Sequence, residues 1–199
     1  MPHINTPFRR AEIADAPALT ELVNYAGEGL PHYLWSTLAN PGENPWDVGL
    51  ARAAREEGSF SYRNAYLIEQ DGQCAGALIG YEIPDAPEPI SADMPAMFVP
   101  LQELENLAPG TWYVNVLAVM PQYRRRGLGT ALLGLADRMA GELSKPGLSV
   151  IVSDANGGAR ALYERCGYAE RASRPMVKER WRNDGRNWVL LTKECALQV

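Results

Sequence analysis

Three consecutive arginines, Arg124, Arg125 and Arg126, lead directly into Gly127, Leu128, Gly129 and Thr130 and then into an apolar helical repeat. The spacing puts a cationic, glycine-containing turn at the start of a helix, where backbone N–H groups lack partners and the dipole adds roughly +0.5 charge. Guanidinium groups at that end are unfavourable by about 0.3–1 kcal/mol each. The conflict is relieved if a strong anion occupies the turn, so the chemistry these residues suit is the holding of a phosphate. Two common phosphate motifs do not fit. The dinucleotide fingerprint needs a third glycine where Leu132 stands, and a Walker A loop needs a Lys-Ser/Thr pair after its last glycine.

Such a turn has to be carried by regular elements on both sides. Behind it, Leu128, Ala131, Leu132, Leu135, Ala136 and Met139 recur at helical spacing, with Asp137 and Arg138 on the other face and Gly141 as the expected stop. Ahead of it, residues 112–119 are rich in β-branched and aromatic types and end before Pro121, which predicts a strand. Elsewhere the sequence predicts a strand over 8–11 and a helix capped by Asp15, carrying Leu19, Leu22, Val23 and Ala26 on one face and broken by Gly27 and Gly29. Further helices are expected over 31–38 and from Asn44-Pro45 to about Glu57. Asp71-Gly72 joins strands 65–69 and 73–83 in a hairpin, a strand covers 148–153, and a helix follows Asn156. A last strand pair is expected at 176–178 and 188–192 around Asn183-Asp184-Gly185.

Composition narrows the class. The 199 residues are ample for one core and short for two, so a single domain over 1–199 is expected. With 46% hydrophobic and 22% charged residues the chain is an ordinary globular one, and no apolar run approaches the ~20 residues of a membrane span. Residues 1–8 contain two prolines and no signal-peptide core, which points to the cytoplasm. Cys74, Cys166 and Cys195 lack metal-like spacing and read as reduced thiols. A net charge of -5 argues against a nucleic-acid partner, because such proteins neutralise several phosphates with an exposed basic surface. An acidic protein around a local arginine cluster instead suits an enzyme that holds a polyanion in one place and attracts a cationic amine in another.

The run Arg124-Arg125-Arg126-Gly127-Leu128-Gly129, preceded by Leu117-Ala118-Val119 and Pro121, resembles the Gln/Arg-x-x-Gly-x-Gly/Ala signature of the GNAT superfamily of N-acetyltransferases. Asn156, Ala159, Leu162, Tyr163, Glu164, Gly167 and Tyr168 are similar to that family's second signature. The resemblance spans roughly 113–169. It implies an α/β (α+β) GNAT fold: a mixed, mostly antiparallel sheet with a splayed parallel strand pair at its centre and helices on both faces. It also implies acetyl-CoA as co-substrate, no metal, and direct transfer of the acetyl group in a ternary complex to a primary amine of a small molecule or peptide. The pyrophosphate would sit on the backbone N–H groups of Arg125 to Thr130, helped by the side chains of Arg124, Arg125 and Arg126. Leu117, Ala118 and Val119 would line the pantetheine arm, with the Val119 N–H as oxyanion donor. Asn156 would cap its helix and touch the arm, and the Tyr163 hydroxyl would protonate the leaving thiolate.

The general base is less legible. The family carboxylate on the central strand falls, by spacing, at Tyr113, which together with Asn115 could instead hold a proton-accepting water on the face shared with Leu117 and Val119. Glu82 is the first carboxylate candidate, followed by Glu103, Glu105 and His32. Tyr33, Trp35 and Trp46 form either an aromatic wall for the acceptor or part of the core. Segment 84–109, between the third and fourth strands, is proline-rich yet carries Met94, Met97, Phe98, Leu101, Leu104 and Leu107. It reads as a packed loop with a short helix over 100–107, a lid over the acceptor groove, or a homodimer contact. The departure at Tyr113 keeps a second reading open, a non-catalytic acyl-CoA-binding or sensing module on the same fold.

Overall fold

The computed structural model describes residues 7–195. In chain order its principal elements are β1 (Phe8–Arg10), α1 (Ala16–Ala26), α2 (Leu30–Leu38), α3 (Pro45–Ala53), β2 (Ala65–Gln70), β3 (Gln73–Glu82), α4 (Val99–Glu105), β4 (Trp112–Val119), α5 (Leu128–Glu142), β5 (Gly147–Ser153), α6 (Gly157–Arg165), β6 (Ala169–Pro175) and β7 (Asn187–Glu194). The strands form one mixed sheet in the order β1-β2-β3-β4-β5-β7-β6. Pairings β1–β2, β2–β3, β5–β7 and β6–β7 are antiparallel, while β4–β5 is parallel. The β2–β3 hairpin turns on Asp71 (φ 54°) and Gly72 (φ 71°), the left-handed pair that matches the twist of antiparallel strands. No helix among the described residues is long and apolar enough to cross a membrane.

The described chain forms two compact units. The first takes the chain up to Gly80 together with Val116–Leu132, and the second takes Tyr81–Asn115 and the chain from Leu133 onward. In the first, Leu19, Leu22, Trp35, Ala53, Leu67, Ile79, Val116 and Ala118 are buried together. Here β3 and β4 come unusually close: a Cβ on Gly76 would stand 2.6 Å from the Ala118 carbonyl oxygen and 3.3 Å from the Val119 Cα. Backbone cannot swing aside as a flexible side chain can, so Gly76→Ala is expected to cost about 1–3 kcal/mol and to lower the melting temperature in a thermal scan.

In the second unit, segment 84–109 is built into the structure. Its ends are closed by Ile83 N–H to Thr111 O (2.9 Å) and Gly110 N–H to Pro84 O (3.1 Å). The Asn106 side chain accepts from Glu88 N–H (2.9 Å) and donates to Glu88 O (2.8 Å), clamping the descending strand of the loop. Leu104 is fully buried, and Glu103 accepts from Arg174 Nε at 2.6 Å, which fastens α4 to β6.

Four sequence expectations need correction. Gly141 does not stop α5; the helix runs to Glu142 and closes with Lys145 N–H to Ala140 O (2.8 Å) and Ser144 N–H to Gly141 O (3.0 Å), so Ser144 (φ 53°) takes the left-handed position. Asp15 precedes α1 without capping it, because its carboxylate accepts from Arg9 and from the Glu12 N–H instead. Helix α3 ends at Ala53, short of Glu57, where Ser61 Oγ draws the Arg55 carbonyl into a loop. The last strand pair is Ala169–Pro175 with Asn187–Glu194, while residues 176–178 lie beyond β6. An edge strand with a charged sequence and only one neighbour carries little apolar alternation to betray it.

Candidate active site

The arginine turn lies wholly in the first unit. After β4, a short 3-10 turn (Pro121–Tyr123) delivers the chain to Arg124, and α5 begins at Leu128. Arg125 (φ 60°) and Gly127 (φ 80°) are left-handed, whereas Arg124 (φ -63°, ψ 158°) is extended. Non-glycine residues adopt a left-handed φ rarely, which makes Arg125 a strained residue. Among the described residues, the N–H groups of 125–130 meet no protein acceptor; the first bond back into the turn is Ala131 N–H to Gly127 O at 3.0 Å. Residues 124–127 are exposed.

The arginine side chains buttress this turn. Arg124 Nε donates to Val119 O (3.1 Å) with its guanidinium 5.6 Å from the Tyr25 ring centroid, and Arg126 donates to Gln122 O (3.2 Å) over Tyr123. Each such bond leaves most of the guanidinium donors free for an anion.

Strand β4 itself is unusual for a central strand. Its parallel ladder with β5 consists only of Trp112↔Leu148 and Tyr113↔Ser149, although both strands continue, so the pair is splayed. Met120 N–H reaches Ala75 O on β3, and by strand alternation the N–H and C=O of Leu117 and Val119 point the other way, past the end of that ladder. Asn115, Leu117 and Val119 are half-buried while Val114, Val116, Ala118 and Met120 are buried. One face of the strand is thus incompletely covered.

The second unit carries a separate cluster of tyrosines and carboxylates. Asn156 caps α6, its Oδ1 accepting from Ala159 N–H at 3.1 Å. One turn and more along that helix, the Tyr163 ring is 5% exposed and packs on Tyr168 at 5.6 Å. No protein group bonds the Tyr163 hydroxyl, yet it is not sealed from solvent, in contrast to the Tyr168 hydroxyl, which is closed off without a partner. Burial pushes the Tyr163 hydroxyl pKa well up, so it holds its proton at neutral pH. Tyr113 meets Tyr81 in a tilted ring contact with centroids 5.3 Å apart, and the charge of Glu105 reaches both hydroxyls. Burial, then the neighbouring Glu88 carboxylate, pushes the Glu105 carboxyl up to about 7.

The structure reorders the carboxylate candidates. Glu82 is exposed and paired with Lys145, and strand alternation turns it away from the face on which its neighbour Tyr81 meets Tyr113. Glu103 is held by Arg174. His32 lies against Trp46 in the first unit (5.1 Å). Trp35 is core, 2% exposed and packed on Gly49 and Trp46, while Tyr33 is half-buried and Trp46 is at the surface. Glu105 stands behind Glu82 on sequence, though a signal for it exists: it shares a helical stripe with Leu101, Leu104 and Ala108, which draws it out of water, and it is half-buried.

The model of the acetyltransferase (GNAT) family matches residues 31–168, and the chain belongs to that family. Comparison with curated proteins finds no match. Among solved structures, the fold is similar to an acetyltransferase at TM-score 0.65 and 20% identity, covering 95% of this chain and 99% of that one. It is similar to an N-acetyltransferase from Staphylococcus aureus Mu50 at TM-score 0.62 and 17% identity, covering 93% and 98%. It is also similar to the ribosomal-protein-S18-alanine N-acetyltransferase from Escherichia coli at TM-score 0.55 and 18% identity, covering 96% and 95%. At these identities the likeness is one of fold.

Proposed function

We propose that the chain is an acetyl-CoA-dependent N-acetyltransferase that acetylates a primary amine of a small molecule or peptide by direct transfer. The observation that carries this reading is the turn at 125–130, where a run of backbone N–H groups without protein acceptors meets a helix N-terminus and three arginines. That donor set fits a pyrophosphate: unpaired backbone donors, a positive dipole end and delocalised cations each favour a phosphate oxygen. Acetyl-CoA supplies the activated acetyl group. Leu117 and Val119 offer backbone groups to the acyl arm, and the Val119 N–H stabilises negative charge as it builds on the carbonyl oxygen. Tyr163 donates a proton to sulfur. Burial that raises a phenol also raises a thiol, so the two groups stay matched for that transfer.

Thiol release from acetyl-CoA, followed over diamines, amino-acid amides and peptides with free α- or ε-amino groups, tests the reading. Release that depends on one of these amines is the expected result. CoA binding in calorimetry without release on any amine would favour instead the acyl-CoA-sensing module that the tyrosine at position 113 allows.

A further inference from the structure

We propose that Glu105, carried on the α4 helix of segment 84–109, is the group that takes the proton from the incoming amine, in place of a carboxylate on the central strand. The inference rests on reading the chain as an N-acetyltransferase and names the residue that its sequence leaves unassigned.

Several observations converge on this side chain. Glu103 and Glu105 lie about 200° apart around the helix, so fastening Glu103 to Arg174 on β6 turns Glu105 to the opposite side. There its charge falls on Tyr81 and Tyr113, the second of which is 5% exposed and has a hydroxyl that no protein group bonds. Tyr113 is in turn within electrostatic reach of Tyr163. The strand position where a carboxylate is missing is therefore faced by one from another element. The Asn106 clamp on Glu88 keeps the loop, and with it the second acid, beside Glu105.

The surroundings leave Glu105 free to act. Glu88, Tyr81 and Tyr113 are the ionisable groups that reach it; no protein donor binds its carboxylate among the described residues. Of the strands packed on α4, β5 carries no ionisable side chain; on β6 Arg174 is taken by Glu103, Glu170 by Arg160, and Arg171 is exposed; on β7 Lys193 is taken by Asp137 and Glu194 is exposed. A carboxyl at about 7 is charged in about half the molecules at neutral pH, the condition in which a general base works best.

The proton balance is simple. Glu105 accepts one proton from the ammonium, and the freed nitrogen lone pair forms the N–C bond as the C–S bond breaks. The second proton leaves the nitrogen and replaces the one that Tyr163 gives to sulfur, while Glu105 returns its own to water. The carboxylate pair also suits an acceptor that arrives as a cation.

The test compares wild type, Glu105→Gln and Glu105→Asp in the full chain, with acetyl-CoA and the best amine of the panel. At pH 7, Glu105→Gln is expected to lower kcat/KM for the amine by about 10²–10⁴-fold, with Glu105→Asp between. CoA affinity in calorimetry should not change. Wild-type activity should rise with pH through about 7, and the glutamine variant should lack that limb.

A second readout needs no substrate. Raising a carboxyl from its ordinary 4.5 to about 7 adds stability below 4.5 that is lost as pH rises through 7. The melting temperature of Glu105→Gln should therefore pull ahead of wild type across that window and stay ahead above it. A glutamine variant that keeps its rate and its acid limb overturns the proposal alone, as does a melting difference that is flat with pH. A wild-type chain that binds CoA and acetylates no amine overturns the transferase reading and this proposal together.

Discussion

Arg126→Glu combined with Gly129→Asp is expected to abolish measurable CoA binding in a chain that still folds. The turn at 125–130 presents N–H groups that have no protein partner, and both new carboxylates enter that field. An aspartate in the first turn of α5 is well placed to accept those N–H groups itself, so it competes for the site as well as repelling a phosphate. The same contact stabilises the helix, and this is why folding survives. Arg126→Glu forfeits an exposed bond to Gln122 O and a stacking contact with Tyr123, together worth about 1 kcal/mol. Charge-assisted bonds to phosphate are worth about 1.5–3 kcal/mol each, so losing one and opposing a second should weaken binding by about 10²-fold or more. Calorimetric titration with CoA, alongside a thermal melt, measures both. Undiminished affinity in a folded double variant would remove the turn from the binding site.

Local signals in the sequence were enough wherever one segment settles its own conformation. Trp112–Val119 reads as a strand from its β-branched and aromatic residues, Asp71-Gly72 reads as a hairpin turn because two successive left-handed residues are needed there, and Asn156 reads as a cap because its side chain reaches Ala159 N–H. Errors arose where a distant partner decides. Asp15 looks like a cap until Arg9 takes its carboxylate (2.7 and 2.8 Å). β6 has no apolar alternation because it is an edge, and β7 alone specifies it. Gly141 looks like a stop, but α5 can close one turn later on Ser144.

The arginine turn and the tyrosine and carboxylate cluster differ in the same way. The arginine turn is contiguous, so its chemistry is visible in seven residues of sequence, 124–130. The tyrosine and carboxylate cluster is assembled from β3, β4, α4 and α6, and no spacing rule connects Tyr81, Tyr113, Glu105 and Tyr163. Glu82 ranks first on sequence because it sits on a strand beside the central one. Strand alternation and Lys145 then carry it to the wrong face. How segment 84–109 packs was not legible either, because the burial of Leu104 and the Arg174–Glu103 bond are long-range contacts that no local pattern announces.

Tyr163→Phe is expected to leave folding and CoA affinity nearly untouched and to lower the turnover number by about 10²-fold, the usual scale for loss of a general acid. The ring is 5% exposed and packs on Tyr168, so phenylalanine preserves the contacts. Its hydroxyl has no protein partner, so removing it strands no buried donor or acceptor, and the stability change should stay within about 0.5 kcal/mol. A group with that profile has little structural reason to be a tyrosine. What the hydroxyl offers is a proton kept in place at neutral pH, because burial disfavours the phenolate. Turnover at saturating acetyl-CoA and amine, with a melt and a CoA titration on the same preparation, separates the roles. Turnover equal to wild type would mean that water protonates the departing sulfur; a fall in CoA affinity of the same size would make Tyr163 a binding residue instead of an acid. With the proposed roles, Glu105 for the proton at nitrogen and Tyr163 for the one at sulfur, Tyr163→Phe should keep the acid limb of the pH profile that Glu105→Gln erases.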